Sequence, residues 1–177
     1  MGSLQPDGPF VLENRSIDYA RPIKVRPQPH SATYSQVICI GAGINGIITA
    51  IRFPQKIRNL SLVVYEKNAD VGGTWFENTY PGVACDLPAH TYNLSFEPKR
   101  DWSSFYANGG EIFDYWRGVA KKYGAYRYIK FHCRCVGAKW DEDRGKWIVS
   151  IERTEGGKVK IFQDEADILI SCTGNNP

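Results

Sequence analysis

No run of apolar residues in this chain approaches the ~18 that a helix needs to span a bilayer, which excludes an ordinary helical membrane segment. The N-terminus, Met1-Gly2-Ser3-Leu4-Gln5-Pro6-Asp7, lacks the charged-then-apolar pattern of a secretory signal. Pro6 stands where a myristoylation signal would carry serine or threonine. Charge of one sign is also scarce. The 22 Lys and Arg against 19 Asp and Glu leave +3, spread along the chain, which gives no argument for a nucleic-acid partner. Histidine is rare, and His30, His90 and His132 show no partner arrangement. With no Ser-His-Asp relay and no paired carboxylates, a hydrolytic activity has no support. The five cysteines are odd in number and come without a secretion signal, so reduced thiols in an intracellular, cytoplasmic setting are expected. His132-Cys133-Arg134-Cys135 has adjacent and one-apart ligands with no second cluster, a poor match to zinc spacing, and no metal site is expected.

What is present suits one soluble α/β domain. At 177 residues, 42% hydrophobic and 23% charged, the chain is long enough to bury a real core. Residues 1–35 hold Pro6, Pro9, Pro22, Pro27 and Pro29 and little periodicity. They read as an extended surface arm or, alternatively, a partner-binding segment. The folded domain is expected over residues 36–177.

The chain is organised around residues 36–75. Gln36–Ile40 is a short apolar strand, followed at once by Gly41-Ala42-Gly43-Ile44-Asn45-Gly46. In a G-x-G-x-x-G turn, Gly41 permits the tight bend, Gly43 leaves room for a pyrophosphate, and Gly46 allows close packing of helix and strand. The helix beginning near Ile44 would offer its free N–H groups and positive dipole end to phosphate. Ile47, Ile48 and Ile51 fall at helical spacing, and Pro54 predicts a kink or an end near Phe53. A second strand, Ser61–Tyr65, delivers Glu66 about 20 residues beyond the last glycine, where a carboxylate can accept ribose hydroxyls. The plainer alternatives are a glycine turn that binds nothing and an exposed acid at a strand end.

These features alone do not separate NAD from FAD. The next segment, Asp70-Val71-Gly72-Gly73-Thr74-Trp75, adds a second glycine pair, a hydroxyl and a flat aromatic wall. A long aromatic loop continues through Tyr92, where a simple nicotinamide dehydrogenase would enter its next helix. Further on, Glu111–Tyr123 has Ile112, Tyr115, Trp116 and Val119 on one helical face, with Gly124 as a stop. Tyr128–Phe131 reads as a third parallel strand. Val136–Asp141, Trp147–Glu152 and Val159–Gln163 read as an antiparallel meander punctuated by Asp143-Arg144-Gly145 and Glu155-Gly156-Gly157. Asp167–Ser171 is the last strand. The fold expected is a Rossmann-like βαβ domain with a parallel sheet and a three-stranded antiparallel insert.

Gly72-Gly73-Thr74-Trp75, Asn78-x-Tyr80-Pro81-Gly82, Cys85-Asp86, His90, Tyr92, Phe96-Glu97-Pro98, Trp102-Ser103-x-Phe105-Tyr106 and Thr173-Gly174 together resemble the class B flavoprotein monooxygenases. Within that family the likeness is greatest to the fungal Baeyer–Villiger monooxygenases, and it covers residues 36–177. The resemblance implies FAD contacts at Thr74, Trp75, Phe76, Glu77, Asp86, Leu87 and Tyr92, in addition to the dinucleotide residues above. It implies an approach of Ala84, Cys85 and Asp86 to the nicotinamide of NADP, and a backbone contact of Val136 with adenine. Asp86 is the one candidate catalytic residue, an acid near the flavin ring that helps to position an active-site arginine. Read alone, Asp86 could equally cap a loop and Tyr92 could be a half-buried loop aromatic. Cys172-Thr173-Gly174 resembles the family's Ala-Thr-Gly turn beside the FAD pyrophosphate, with cysteine in place of alanine.

Relative to that family pattern, a second glycine fingerprint, an inserted NADPH-binding domain and a candidate for the active-site arginine are missing. The expectation is therefore the FAD-binding part of an NADPH- and O2-dependent monooxygenase acting on a ketone or similar small molecule, with a partner chain supplying the remaining domain. The alternatives are a non-catalytic flavin-binding remnant or interaction module, and a small NAD-dependent dehydrogenase, against which Gly72–Tyr92 argues.

Overall fold

A computed structural model describes residues 35–174. The expected N-terminal arm lies outside the described residues except for Ser35, which already belongs to the first strand. All described residues fall within one unit, Ala32–Pro177.

Strand β1 (Ser35–Ile40) leads through the glycine turn into helix α1 (Ile44–Lys56), and strand β2 (Leu60–Tyr65) follows. Val37, Ile38 and Cys39 are all buried, as an uninterrupted apolar run must be when both faces of a parallel strand are covered. β1 pairs in parallel with β2 in the register Val37 to Leu62 and Cys39 to Val64. A one-turn helix α2 (Thr74–Glu77) and a 3-10 turn at Ala89–Tyr92 interrupt the long loop that precedes helix α3 (Gly109–Lys122). The third parallel strand, β3, is only Ile129–Lys130, and strand β4 (Cys133–Asp141) starts almost at once. Strands β5 (Lys146–Glu155), β6 (Lys158–Ala166) and β7 (Ile168–Ser171) complete the described chain. The parallel sheet has the order β3-β2-β1-β7, and β4-β5-β6 form a separate antiparallel sheet.

Alternation along the strands divides the interior into two cores. Cys39 and Val64 face Ile47, Ala50 and Ile51 of α1 and Ile112 and Trp116 of α3. Ile38 and Tyr65 face the opposite way, onto Val149, Ile151 and Ala166 of the antiparallel sheet. Ile38, Ile47 and Ile112 are no more than 1% exposed, and burying a side chain of that size contributes about 1.5–3 kcal/mol. The parallel sheet is thus held between a helical layer and a β layer.

Several boundaries differ from the sequence reading. α1 runs through Pro54 to Lys56 instead of stopping near Phe53. Proline in the last turn removes one hydrogen bond, and the Ile57 N–H to Phe53 C=O bond at 2.8 Å closes the helix beyond it. The expected strand Tyr128–Phe131 shrinks because Tyr128 ends a 3-10 turn and His132, at φ 55°, redirects the chain into β4. The meander strands are longer than expected. Their outer ends pair charged residues, Arg153 with Lys160 and Glu155 with Lys158, which carry no hydrophobic alternation. The turn between them has Gly156 and Gly157 both at positive φ, the geometry of a two-residue hairpin. α3 behaves as expected. Asn108 Oδ1 accepts the Glu111 N–H at 2.8 Å at its start, and Gly124 adopts φ 66° just past its end.

Candidate dinucleotide site

The glycine turn is built by backbone packed on backbone. A Cβ on Gly46 would lie 2.0 Å from the Gly41 carbonyl oxygen, so Gly46 is required by the turn itself more than by the 3.7 Å approach to Val64. Gly41, at φ 98°, leaves a space that a Cβ would fill to within 2.6 Å of the Cys172 carbonyl oxygen. The chain after β7 therefore presses directly on the turn, and the Cys172 N–H donates to Ile40 C=O at 2.8 Å.

The second glycine pair meets the first. The Gly72 N–H donates to the Ala42 carbonyl at 3.0 Å. A Cβ on Gly73 would stand 3.0 Å from Gly43 Cα. Gly43 itself has ordinary room, since its added Cβ would be 3.6 Å from Gly73 Cα. Its φ of −67° imposes no need for glycine, so the open space above it is what the residue provides.

Glu66 ties the strand end to the turn. The residue is 4% exposed, with Oε2 accepting the Ala42 N–H at 2.5 Å and Oε1 the Asn68 N–H at 2.8 Å. Its backbone is fixed as well, donating to Lys130 C=O and accepting from Cys133 N–H. The acid is therefore not an exposed strand terminus. Each carboxylate oxygen still has a lone pair to offer.

These parts surround a cavity of about 410 Å³, within the range of small-molecule sites. Gly41, Gly43, Glu66, Thr74, Trp75 and Glu77, all expected from sequence, lie on its wall. The N-terminus of α1 opens onto it through Ile44 and Asn45, and no side chain caps that terminus and no acid lies in its first turn. The N-terminal N–H groups, which a helix cannot satisfy internally, and the positive dipole end thus lie at the space where an anion is best accommodated. Gly46 lies beneath the turn and not on the wall.

The sequence reading assigned none of Lys67, Arg134 and Cys135 to this site, the last two entering only in the metal spacing set aside above, and it read Cys172 as a core residue and part of the Thr-Gly turn; the fold brings all four to the same wall. Lys67 follows directly on Glu66, a signal that was available. Arg134 and Cys135 come from β4, and only the bond from the Cys133 N–H at the start of that strand to the Glu66 C=O just past β2 reveals them. Val136 sits at a bulge between Cys135 and Gly137 and is 48% exposed, off the cavity wall. Phe76 is also off this wall. It stacks at a tilt on Phe113, centroids 5.8 Å apart, and borders a neighbouring polar hollow.

Ala84, Cys85, Asp86, Leu87 and Tyr92 form a separate group beyond Trp75. The Cys85 N–H donates to Ala107 C=O at 3.0 Å, Ala84 bridges to Asn108, and Cys85 is buried. Asp86 and Leu87 are exposed. Tyr92 meets Trp75 edge to face at 5.3 Å, and its hydroxyl lies 3.4 Å from Asp86 Oδ1. Burial, reinforced by the Asp86 carboxylate, pushes the Tyr92 phenol up from its ordinary value. Trp75 is thus shared between this group and the cavity. At the other end, Glu77 binds the Asn68 amide at 2.7 Å and the Lys67 ammonium at 3.1 Å. The Asn68 hydrogen bond, helped by Lys67, holds the Glu77 carboxyl below its ordinary value. Among the described residues there is no group of His, Cys, Asp and Glu able to hold a metal ion, and no helix is long and apolar enough to cross a membrane.

Residues 39–108 match the model of an NAD(P)-binding Rossmann-like domain. An FAD-binding monooxygenase of Aspergillus terreus is 44% identical over 141 residues, 78% of this chain and 24% of the relative. One from Emericella nidulans is 33% identical over 169 residues, 85% of this chain and 28% of the relative. Among solved structures, an oxidised steroid monooxygenase bound to NADP superposes with a TM-score of 0.69 at 32% identity, over 80% of this chain and 26% of that one. A Rhodococcus cyclohexanone monooxygenase bound to NADP+ gives 0.67 at 28% identity, over 80% and 26%. The chain spans about a quarter of the length of these relatives. The order of its sheet, its doubled glycine contacts and these matches agree: the chain belongs to the FAD-binding, class B flavin monooxygenases and corresponds to their N-terminal portion.

Proposed function

We propose that this chain forms the FAD-binding portion of a Baeyer–Villiger-type monooxygenase that uses NADPH and dioxygen to oxygenate a ketone or similar small molecule. The observation that carries this reading is the meeting, on one cavity, of an uncapped helix N-terminus, two glycine-built backbone approaches and a buried carboxylate. This set fits the adenosine diphosphate half of FAD. The pyrophosphate suits the free amides of α1 above Gly43, with the Cys172–Gly174 turn closing one side. Glu66 has lone pairs for ribose hydroxyls, and Lys67 and Arg134 frame the adenine end.

Trp75 would separate this half from the flavin ring, which the resemblance directs towards Asp86, Leu87 and Tyr92. Tyr92 gives Asp86 a hydroxyl partner, so the acid would act as a positioning group. Ala84, Cys85 and Asp86 would border the nicotinamide of NADP. When bound, FAD supplies the redox chemistry and the activation of oxygen. The chain's part is to bind, orient and exclude water.

A specific observation favours a second reading, a flavin-binding module without turnover of its own: Asp86 and Leu87 are exposed and off the cavity wall. Titration of the purified chain with FAD, followed by anaerobic NADPH, separates the two. Bound flavin that NADPH bleaches supports the monooxygenase reading, and bound flavin that stays yellow supports the module. A chain that binds NAD in preference to FAD overturns both.

A further inference from the structure

The loop from β2 to α2 carries the second glycine pair over the first, and the glycines themselves do not hold it there. Gly72 and Gly73 both adopt positive φ, 119° and 54°, and consecutive glycines have wide backbone freedom. Their placement is therefore imposed by the residues around them, and the anchors fall on every second residue. Asn68 donates its N–H to Glu66 at 2.8 Å and its side-chain amide to Glu77 at 2.7 Å, and its C=O accepts the His132 N–H at 3.1 Å. Gly72 donates to Ala42 in the glycine turn. Between these two, Asp70 Oδ1 accepts the Val71 N–H at 2.8 Å and the Tyr126 hydroxyl at 2.6 Å.

Tyr126 belongs to the 3-10 turn Ala125–Tyr128 that follows α3, and it packs against the core of the helical layer. Its ring tilts onto Phe131 with centroids 5.8 Å apart, and Arg127 Nε donates to Gly124 C=O at 2.9 Å to brace the start of the turn. The phenol is thus presented from a fixed point. Burial, and after it the bond to Asp70, pushes this phenol above its ordinary value, so it remains the donor at neutral pH. Tyr126 does not line the cavity, and its influence there passes along the chain. Val71 is 0% exposed in the same helical core, so Asp70 and Val71 together tie the glycine pair to that layer. Gly73 lies so close to the first turn that an added Cβ would stand 3.0 Å from Gly43 Cα. A shift at Asp70 therefore reaches Gly73 with no side chain to absorb it, and it alters the space above Gly43.

We propose that Tyr126 is a positioning residue of the dinucleotide site: through Asp70 it sets the separation of the two glycine turns, and with it the width of the space above Gly43. That this space holds the pyrophosphate of FAD rests on the function proposed above. The coupling of Tyr126 to the glycine pair does not.

The test compares the full wild-type chain with Tyr126→Phe, which keeps the ring and deletes the hydroxyl, and with Asp70→Ala and Asp70→Asn, the last of which keeps an acceptor oxygen for the phenol. The N–H of Gly72 bonds to Ala42, and those of Phe76 and Glu77 bond to Gly73. In the apoprotein, hydrogen exchange at these three amides should speed up at least about tenfold in Tyr126→Phe, with the amides of β1 unchanged. FAD affinity, measured where every variant is fully folded, should fall about tenfold in Tyr126→Phe and in Asp70→Ala, and stay within about twofold of wild type in Asp70→Asn. Adding Tyr126→Phe to Asp70→Ala should weaken binding no further, since both changes remove the same bond. Unchanged exchange at the three amides, or equal acceleration throughout β1, overturns the proposal. So does FAD affinity that survives Tyr126→Phe despite fast exchange, a result that leaves the FAD reading intact. A folded wild-type chain that binds no FAD overturns that reading instead, and the apoprotein exchange then decides the role of Tyr126 by itself.

Discussion

The Ala42 N–H donates to Glu66 Oε2 at 2.5 Å, joining the centre of the glycine turn to an acid 24 residues further on. The same carboxylate holds the Asn68 amide with its other oxygen. One buried side chain therefore sets both the turn and the loop that leaves β2. Glu66→Gln keeps the size but can satisfy only one of the two amides with its single carbonyl oxygen. The orphaned partner should cost about 1–3 kcal/mol in urea denaturation of the apoprotein. FAD affinity should fall with it, by roughly tenfold or more for each ~1.4 kcal/mol of lost interaction.

The glycines of the turn should separate by role. Gly46→Ala forces a Cβ to 2.0 Å from a backbone oxygen that cannot swing away, so the apoprotein should lose ~1–3 kcal/mol or more. Gly43→Ala meets only a 3.6 Å contact and an ordinary φ. It should leave stability within about 0.5 kcal/mol while weakening FAD, because the methyl group enters the space assigned to pyrophosphate. Paired denaturation and flavin titration of the two variants check this directly.

Asn108→Ala removes the side-chain cap of α3, which accepts the Glu111 N–H at 2.8 Å. A loss of about 1 kcal/mol in thermal or urea unfolding is expected. Asn108→Asp should retain most of that stability, since a carboxylate accepts the same bond at the positive end of the helix.

Glu77 gives the fold a mild sensitivity to acid. Asn68 and Lys67 hold its folded-state carboxyl below the ordinary 4.5. The ionised form is therefore favoured in the folded state. The resulting stability is present above the unfolded value and is lost as pH falls through the lower folded one. The side chain is 34% exposed and its partner Lys67 more so, so solvent screening keeps the effect small. Stability curves measured from pH 6 down to pH 3 should fall less steeply for Glu77→Gln than for the wild-type chain.

Local signals carried the reading furthest. Val37 to Ile40, the three glycines, Ile47 and Ile51 and then Glu66 follow one another in sequence, and their structure follows from nearest-neighbour rules. α3 was legible for the same reason, through its apolar face and Gly124. The limits arose where distant segments meet. Arg134 and Cys135 reach the cavity only because Glu66 pairs its backbone with Lys130 and Cys133. Gly46 looked like a helix-to-strand contact until the Gly41 carbonyl proved nearer. Asp86 and Leu87 came from a resemblance, and in the described residues they stand apart from the cavity, with Trp75 between.

The most direct measurement of the central claim is the stoichiometry of FAD on the purified chain, read from flavin absorbance and compared with Gly43→Val. One flavin per wild-type chain and none on the folded variant is the predicted result. Equal flavin on both, or no flavin on a folded wild-type chain, would contradict the assignment of this cavity.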